Sequence, residues 1–182
     1  MTSESPMTGA LKTALERRLV DLRLVLAGVD DSGWAEIRRQ IEGARKIYCG
    51  GMGRSGVIMS AFANRLARAG FRVHGLFEAS APPVEAGDFT LIASGSGATA
   101  TVLAVAGRIQ GEGAKLGLFT ANALSPMGRL ADFRVVLPPL LPPRDPSAQK
   151  ASEQVLASLQ VLFEQALLIV LDTLADQIAD SN

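Results

Sequence analysis

The run Phe89-Thr90-Leu91-Ile92-Ala93 passes directly into Ser94-Gly95-Ser96-Gly97-Ala98-Thr99. A strand-length run with almost no polar residue is expected inside a parallel sheet, where helices cover both faces. Parallel strands cannot be joined by tight hairpins, so crossover helices must lie between them. The chain has that alternation. Strands are expected over residues 46–50, 71–76, 89–93, 115–120 and 133–137. Helices are expected over 55–69 and 98–112, and Ser125-Pro126 opens a short one. The pattern predicts an α/β fold, a three-layer doubly wound parallel sheet.

Further helices flank the sheet. Leu15, Leu19, Leu22 and Leu26 recur at helical spacing behind Leu11, and a second helix follows Asp30-Asp31-Ser32-Gly33 and runs to about Gly43. Five prolines between Pro138 and Pro146 make a stiff loop, and a long helix follows over residues 152–179. Residues 1–8 read as a flexible tail and 9–182 as one domain.

Composition removes several function classes. The formal net charge is zero and no basic block occurs, so nothing marks a nucleic-acid footprint. One cysteine permits neither an internal disulfide nor a cysteine zinc site, and one histidine argues against a histidine-rich metal centre. The first residues are too polar for a signal peptide. Residues 155–171 are apolar but contain Gln160, Glu164 and Gln165, which fits a buried or interface helix rather than a membrane span. A soluble, cytoplasmic protein is expected.

In an open parallel sheet, ligands sit beyond the C-terminal strand ends. Two glycine-rich turns fall there. The first is Gly50-Gly51-Met52-Gly53-Arg54-Ser55-Gly56 and the second is Ser94 to Thr99. Glycines let backbone N–H groups approach an anion, and the helix that follows aims its positive end at the same place. Gly53, Arg54, Ser55, Ser94, Gly95, Ser96 and Thr99 are therefore the candidate phosphate-binding residues. A single such turn is also what any tight strand-to-helix connection uses; two in one small domain favour a phosphate cup. The first turn also fits G-x-G-x-x-G through Gly51, Gly53 and Gly56, with Glu78 placed like a ribose-binding acid, so a dinucleotide site is a rival.

These residues resemble those of sugar isomerase (SIS) domains and, more narrowly, are similar to the 6-phospho-3-hexuloisomerases. Besides the two turns, the resemblance is carried by Ala61-Phe62-Ala63-Asn64-Arg65-Leu66, Gly87-Asp88, Thr120-Ala121-Asn122, Ser125, Gly128, Leu130-Ala131-Asp132 and Leu162-Phe163-Glu164-Gln165. It implies an SIS-type, flavodoxin-like sheet with extra N- and C-terminal helices. It also implies interconversion of D-arabino-3-hexulose 6-phosphate and fructose 6-phosphate through an enediol, with no cofactor and no metal. Partners would be a small sugar phosphate and further copies of the chain, since such isomerases are typically dimers or tetramers with sites completed across subunits.

Moving a carbonyl between neighbouring carbons needs a proton shuttle, and Glu164 is the candidate catalytic base, with Gln160 one turn earlier to orient it. From its surroundings alone, Glu164 reads first as a structural carboxylate at a subunit contact, paired with Gln160 or an arginine, and the resemblance tips it towards catalysis. His74, near the end of the second strand, is a weaker catalytic candidate and otherwise a strand-face histidine. Cys49 reads as a small buried apolar residue. Arg65 and Arg68 could face phosphate, bridge subunits or be solvated. Ala98 and Arg68 stand where the family has glutamate and histidine, which keeps a non-catalytic phosphosugar-binding module, or an isomerase of another sugar phosphate, open beside the first reading.

Overall fold

The computed structural model describes residues 6–140 and 153–180. In chain order the elements are α1 (Pro6–Ala27), α2 (Trp34–Gly43), β1 (Ile47–Gly51), α3 (Gly53–Arg68), β2 (Val73–Gly75), β3 (Phe89–Ala93), α4 (Ala100–Gly111), β4 (Lys115–Thr120), α5 (Pro126–Leu130), β5 (Phe133–Val136) and α6 (Glu153–Ala179). The strands form one five-stranded sheet in the order β2-β1-β3-β4-β5, and every neighbouring pair is parallel. This is the doubly wound α/β architecture expected from the sequence, and β3 lies at its centre with all five residues buried.

Two differences have simple causes. Helix α1 begins at Pro6, so residues 6–8 belong to it and not to a tail; proline needs no amide hydrogen in a first helical turn. Strand β2 keeps only three of the six expected residues, because an edge strand has a neighbour on one side only. The start of the expected tail, and most of the proline-rich loop beyond Leu140, fall outside the described residues.

Alternate residues of each strand face opposite layers. Ile47, Cys49, Phe89, Leu91, Ala93 and Phe119 pack with Met59, Phe62 and Leu66 of α3 and with Leu162, Phe163, Ala166 and Leu167 of α6. Ile92, Leu116 and Leu118 face the other way, onto Val102 and Ala106 of α4 and Met127 of α5. Helix α3 shows how the sequence chooses its face. Ser55, Met59, Phe62 and Leu66 follow at steps of four, three and four, and all four are buried. Each of its large apolar side chains contributes about 1.5–3 kcal/mol on burial.

Helices α3 and α6 are also pinned by charge. Arg65 donates to the Asp172 backbone carbonyl at 3.2 Å and to its carboxylate at 2.7 Å, and it reaches Asp176 as well. The stretch from Leu156 to Ala179 is long and apolar enough to cross a membrane by length and composition alone. Here it packs against α3 and α1, and Leu162, Phe163, Ala166, Leu167, Leu171, Leu174 and Ile178 are buried in the core, as expected of a core helix.

Helix α1 is only half covered. Val25 is buried and Leu22 and Leu26 pack on the core, but Leu11, Leu15 and Leu19 are 64%, 55% and 65% exposed. The leucine stripe legible in the sequence therefore exists as a surface for most of its length.

Candidate active site

The strand order reverses between β1 and β3, which lie side by side although β2 comes between them in the chain. Such a switch point opens a crevice at the C-terminal strand ends. Gly51 ends β1 opposite Ala93, the last residue of β3. The two glycine-rich turns therefore leave the sheet as immediate neighbours.

Each turn has one glycine in the left-handed region, Gly53 at φ +57 and Gly97 at φ +60, where other residues are strained. The first turn is tight at the backbone. A Cβ on Gly56 would lie 2.5 Å from the Gly51 carbonyl oxygen, and one on Gly51 would lie 2.9 Å from that of Ala93. In the second turn, a Cβ on Gly97 would collide with Ser125 Oγ.

Hydroxyls brace this second turn. Ser94 Oγ accepts from the Gly97 amide at 3.2 Å and Ser96 Oγ from the Ala98 amide at 3.3 Å, while Thr120 Oγ1 donates to the Gly95 carbonyl at 3.3 Å. Ser125 caps α5 by accepting from the Gly128 amide at 3.0 Å. No side chain caps α3 or α4 in this way, although Thr99 occupies the N-cap of α4. The first amides of a helix have no partner within it, so these two ends present donors and positive potential beside the switch point.

Helix α6 closes the site from the α3 side. A Cβ on Gly95 would meet Gln160 Oε1 at 3.0 Å and the Phe163 ring at 3.1 Å, so α6 lies directly on the second turn. One turn along α6, Glu164 is 3% exposed. Its Oε1 accepts from Gln160 Nε2 at 3.0 Å. Its Oε2 lies 2.7 Å from Nε of Arg54 in the first turn, yet accepts no hydrogen bond among the described residues. The guanidinium is thus held there by charge, with no N–H directed along the line to the oxygen. Arg54, a phosphate candidate from the sequence, rests here against the carboxylate.

The remaining candidates separate. Ser55 and Ser94 are buried, Ser96 is exposed and Thr99 half-buried, all around the crevice. His74 pairs in register with Tyr48, and their rings lie 5.5 Å apart. Tyr48 alternates with Ile47 and Cys49, so this pair faces the α4 layer while Glu164 lies on the α3–α6 side. Within one chain the fold does not bring His74 to Glu164. Cys49 is buried in the core, where burial pushes its thiol up to about 12. Among the described residues, no group of three or more His, Cys, Asp or Glu side chains is arranged to hold a metal ion.

Two contacts were not legible in sequence. The Arg54–Glu164 pair joins residues far apart in the chain, and nothing local announces it. The bracing of the second turn by Thr120, and the close approach of Ser125 to Gly97, depend on how β4 and α5 pack. The only signal was that both belong to the motifs quoted for the family resemblance.

Comparisons with known proteins agree with this fold. The chain is 33% identical over 190 residues to a 3-hexulose-6-phosphate isomerase from Mycobacterium gastri, covering 99% of this chain and 92% of that one. A crystal structure from Methanococcus jannaschii, whose description infers a molecular function of 3-hexulose-6-phosphate isomerase, superposes with a TM-score of 0.73 at 25% identity, covering 93% of this chain and 90% of that one. The Vibrio vulnificus NanR protein complexed with ManNAc-6P shares the fold, with a TM-score of 0.70 at 21% identity over 94% of this chain and 62% of its own. The SIS domain family model matches residues 40–163, a span that starts within α2 and reaches Phe163 beside the buried carboxylate. With paired turns at the switch point and that match over most of its length, the chain belongs to the SIS domain family.

Proposed function

We propose that this chain is a phosphosugar isomerase that interconverts D-arabino-3-hexulose 6-phosphate and fructose 6-phosphate. The observation that carries the proposal is the burial of Glu164 beside both turns, fixed through one oxygen by Gln160. The phosphate would sit against the α3 and α4 N-termini, with Ser55, Ser94, Ser96 and Thr99 around it. Glu164 would take the proton from C2 of the 3-ketose as O3 is protonated, giving a 2,3-enediol, and a proton would return to C3 as O2 loses its proton and the carbonyl forms at C2. The likeness to relatives named for this reaction supports the choice of substrate. Membership of the SIS family favours a sugar phosphate over the dinucleotide reading of the first turn.

The test is to add 3-hexulose 6-phosphate to the purified chain and follow fructose 6-phosphate in deuterated water. Formation of fructose 6-phosphate with deuterium incorporated at C3 is expected. Absence of turnover with this substrate and with a panel of other sugar phosphates would overturn the isomerase proposal. A second possibility, a non-catalytic phosphosugar-binding module, is favoured by Ala98 and Arg68, where the family has glutamate and histidine. It would be supported by sugar phosphate binding without turnover.

The exposed face of α1 fits self-association. Leu11, Leu15 and Leu19 are covered in this proposal by a second copy, giving a dimer or tetramer. A monomer in sedimentation at micromolar concentration would overturn that part.

A further inference from the structure

We propose that Arg54 is a positioning residue that holds Glu164 while the phosphate cup is empty and exchanges it for the phosphate of an arriving substrate. The inference rests on the phosphosugar reading of the site and adds a coupling between its two halves.

The geometry at the carboxylate is asymmetric. Oε1 is hydrogen-bonded to Gln160 on the same helix at 3.0 Å, so the carboxylate keeps its place when any other partner leaves. Among the described residues, Oε2 is buried and without a hydrogen bond, with the Arg54 guanidinium 2.7 Å away. The Arg54 side chain is 65% exposed and the Glu164 side chain 4%. The mobile partner is therefore the arginine, rooted at the second residue of α3 beside the uncapped helix start.

The chemistry favours an exchange. A phosphate ester carries up to two negative charges near neutral pH, and its oxygens match the guanidinium fork. The α3 and α4 N-termini draw the same anion to the place from which Arg54 projects. With the Arg54 guanidinium 2.7 Å from Oε2, that oxygen is covered, and a substrate carbon reaches it only when the arginine moves away. Transfer of the guanidinium to the phosphate would release the base only when a phosphorylated substrate is seated. Binding energy from the non-reacting end would thereby be used at the reacting end.

The experiment is a double-mutant cycle read by calorimetric titration of the full chain with inorganic phosphate. If Arg54 must leave Glu164 to engage phosphate, Glu164→Gln tightens phosphate binding about five- to tenfold. In the Arg54→Gln background the same change alters affinity by less than about twofold, and Arg54→Lys restores part of the coupling. An equal effect of Glu164→Gln in both backgrounds would overturn the exchange and leave the phosphate cup standing. Failure of the unsubstituted chain to bind phosphate would overturn cup and exchange together. A second readout needs no substitution: the Arg54 Nε–H resonance should move during the phosphate titration together with the amides of Ser94 to Thr99. If those amides respond and Arg54 does not, the exchange is wrong.

Discussion

Gly56 lies so close to Gly51 that a single added methyl group would stand 2.5 Å from the Gly51 carbonyl oxygen. This contact ties the start of α3 to the end of β1, and Gly51 in turn lies opposite Ala93 in β3. Both glycine-rich turns take their position from that junction.

Gly56→Ala should therefore destabilise the chain by about 1–3 kcal/mol, because the backbone on either side of the new methyl group must move apart. It should also weaken phosphate binding. Urea denaturation and calorimetry would measure the two effects. A variant as stable and as tight-binding as its parent would show that the first turn is looser than described.

Glu164→Gln keeps the shape of the side chain and removes its ability to carry a proton. The expected loss in kcat is about 10²–10⁴-fold, with KM for the sugar phosphate changed much less. Steady-state kinetics on a variant with unchanged far-ultraviolet circular dichroism would decide. A loss smaller than about tenfold would place the base elsewhere.

Cys49 should be inert in the native chain. It is buried between β1 and the helices, and burial pushes its thiol up to about 12, so almost no thiolate exists at neutral pH. Iodoacetamide followed by mass spectrometry should show no modification of folded protein and full modification in denaturant. Rapid labelling of the folded chain would contradict the packing of β1.

Acid should weaken one particular contact. Hydrogen bonds from Arg39, then Gln40, hold the Glu36 carboxyl at about 2 against an ordinary value of 4.5. Because the folded value is depressed, the contribution is present above pH 4.5 and is lost as pH falls towards 2. Both side chains are solvated, so the effect is small. Thermal melting should show Glu36→Gln less stable than its parent at about pH 7 and equal to it at about pH 2. A difference that persists in acid would mean that Glu36 acts through packing.

Much of the fold was legible because it is written locally. The apolar run at β3 and the strand β4 fall on the residues expected, since a buried strand bounded by a turn is recorded in consecutive positions. Strand β2 was overextended because edge pairing depends on a neighbour that the local sequence does not reveal. The glycine turns could be placed at strand ends, but nothing local fixed which turn would lie beside which.

The sequence by itself determined the alternation of strands and helices and the two glycine–serine turns, because each follows from neighbouring residues. Only the tertiary structure decided that His74 and Glu164 lie on opposite faces of the sheet and that Arg54 rests on Glu164. Strand order and helix packing join residues from distant parts of the chain, and contacts of that range depend on how the whole chain closes, not on any one segment.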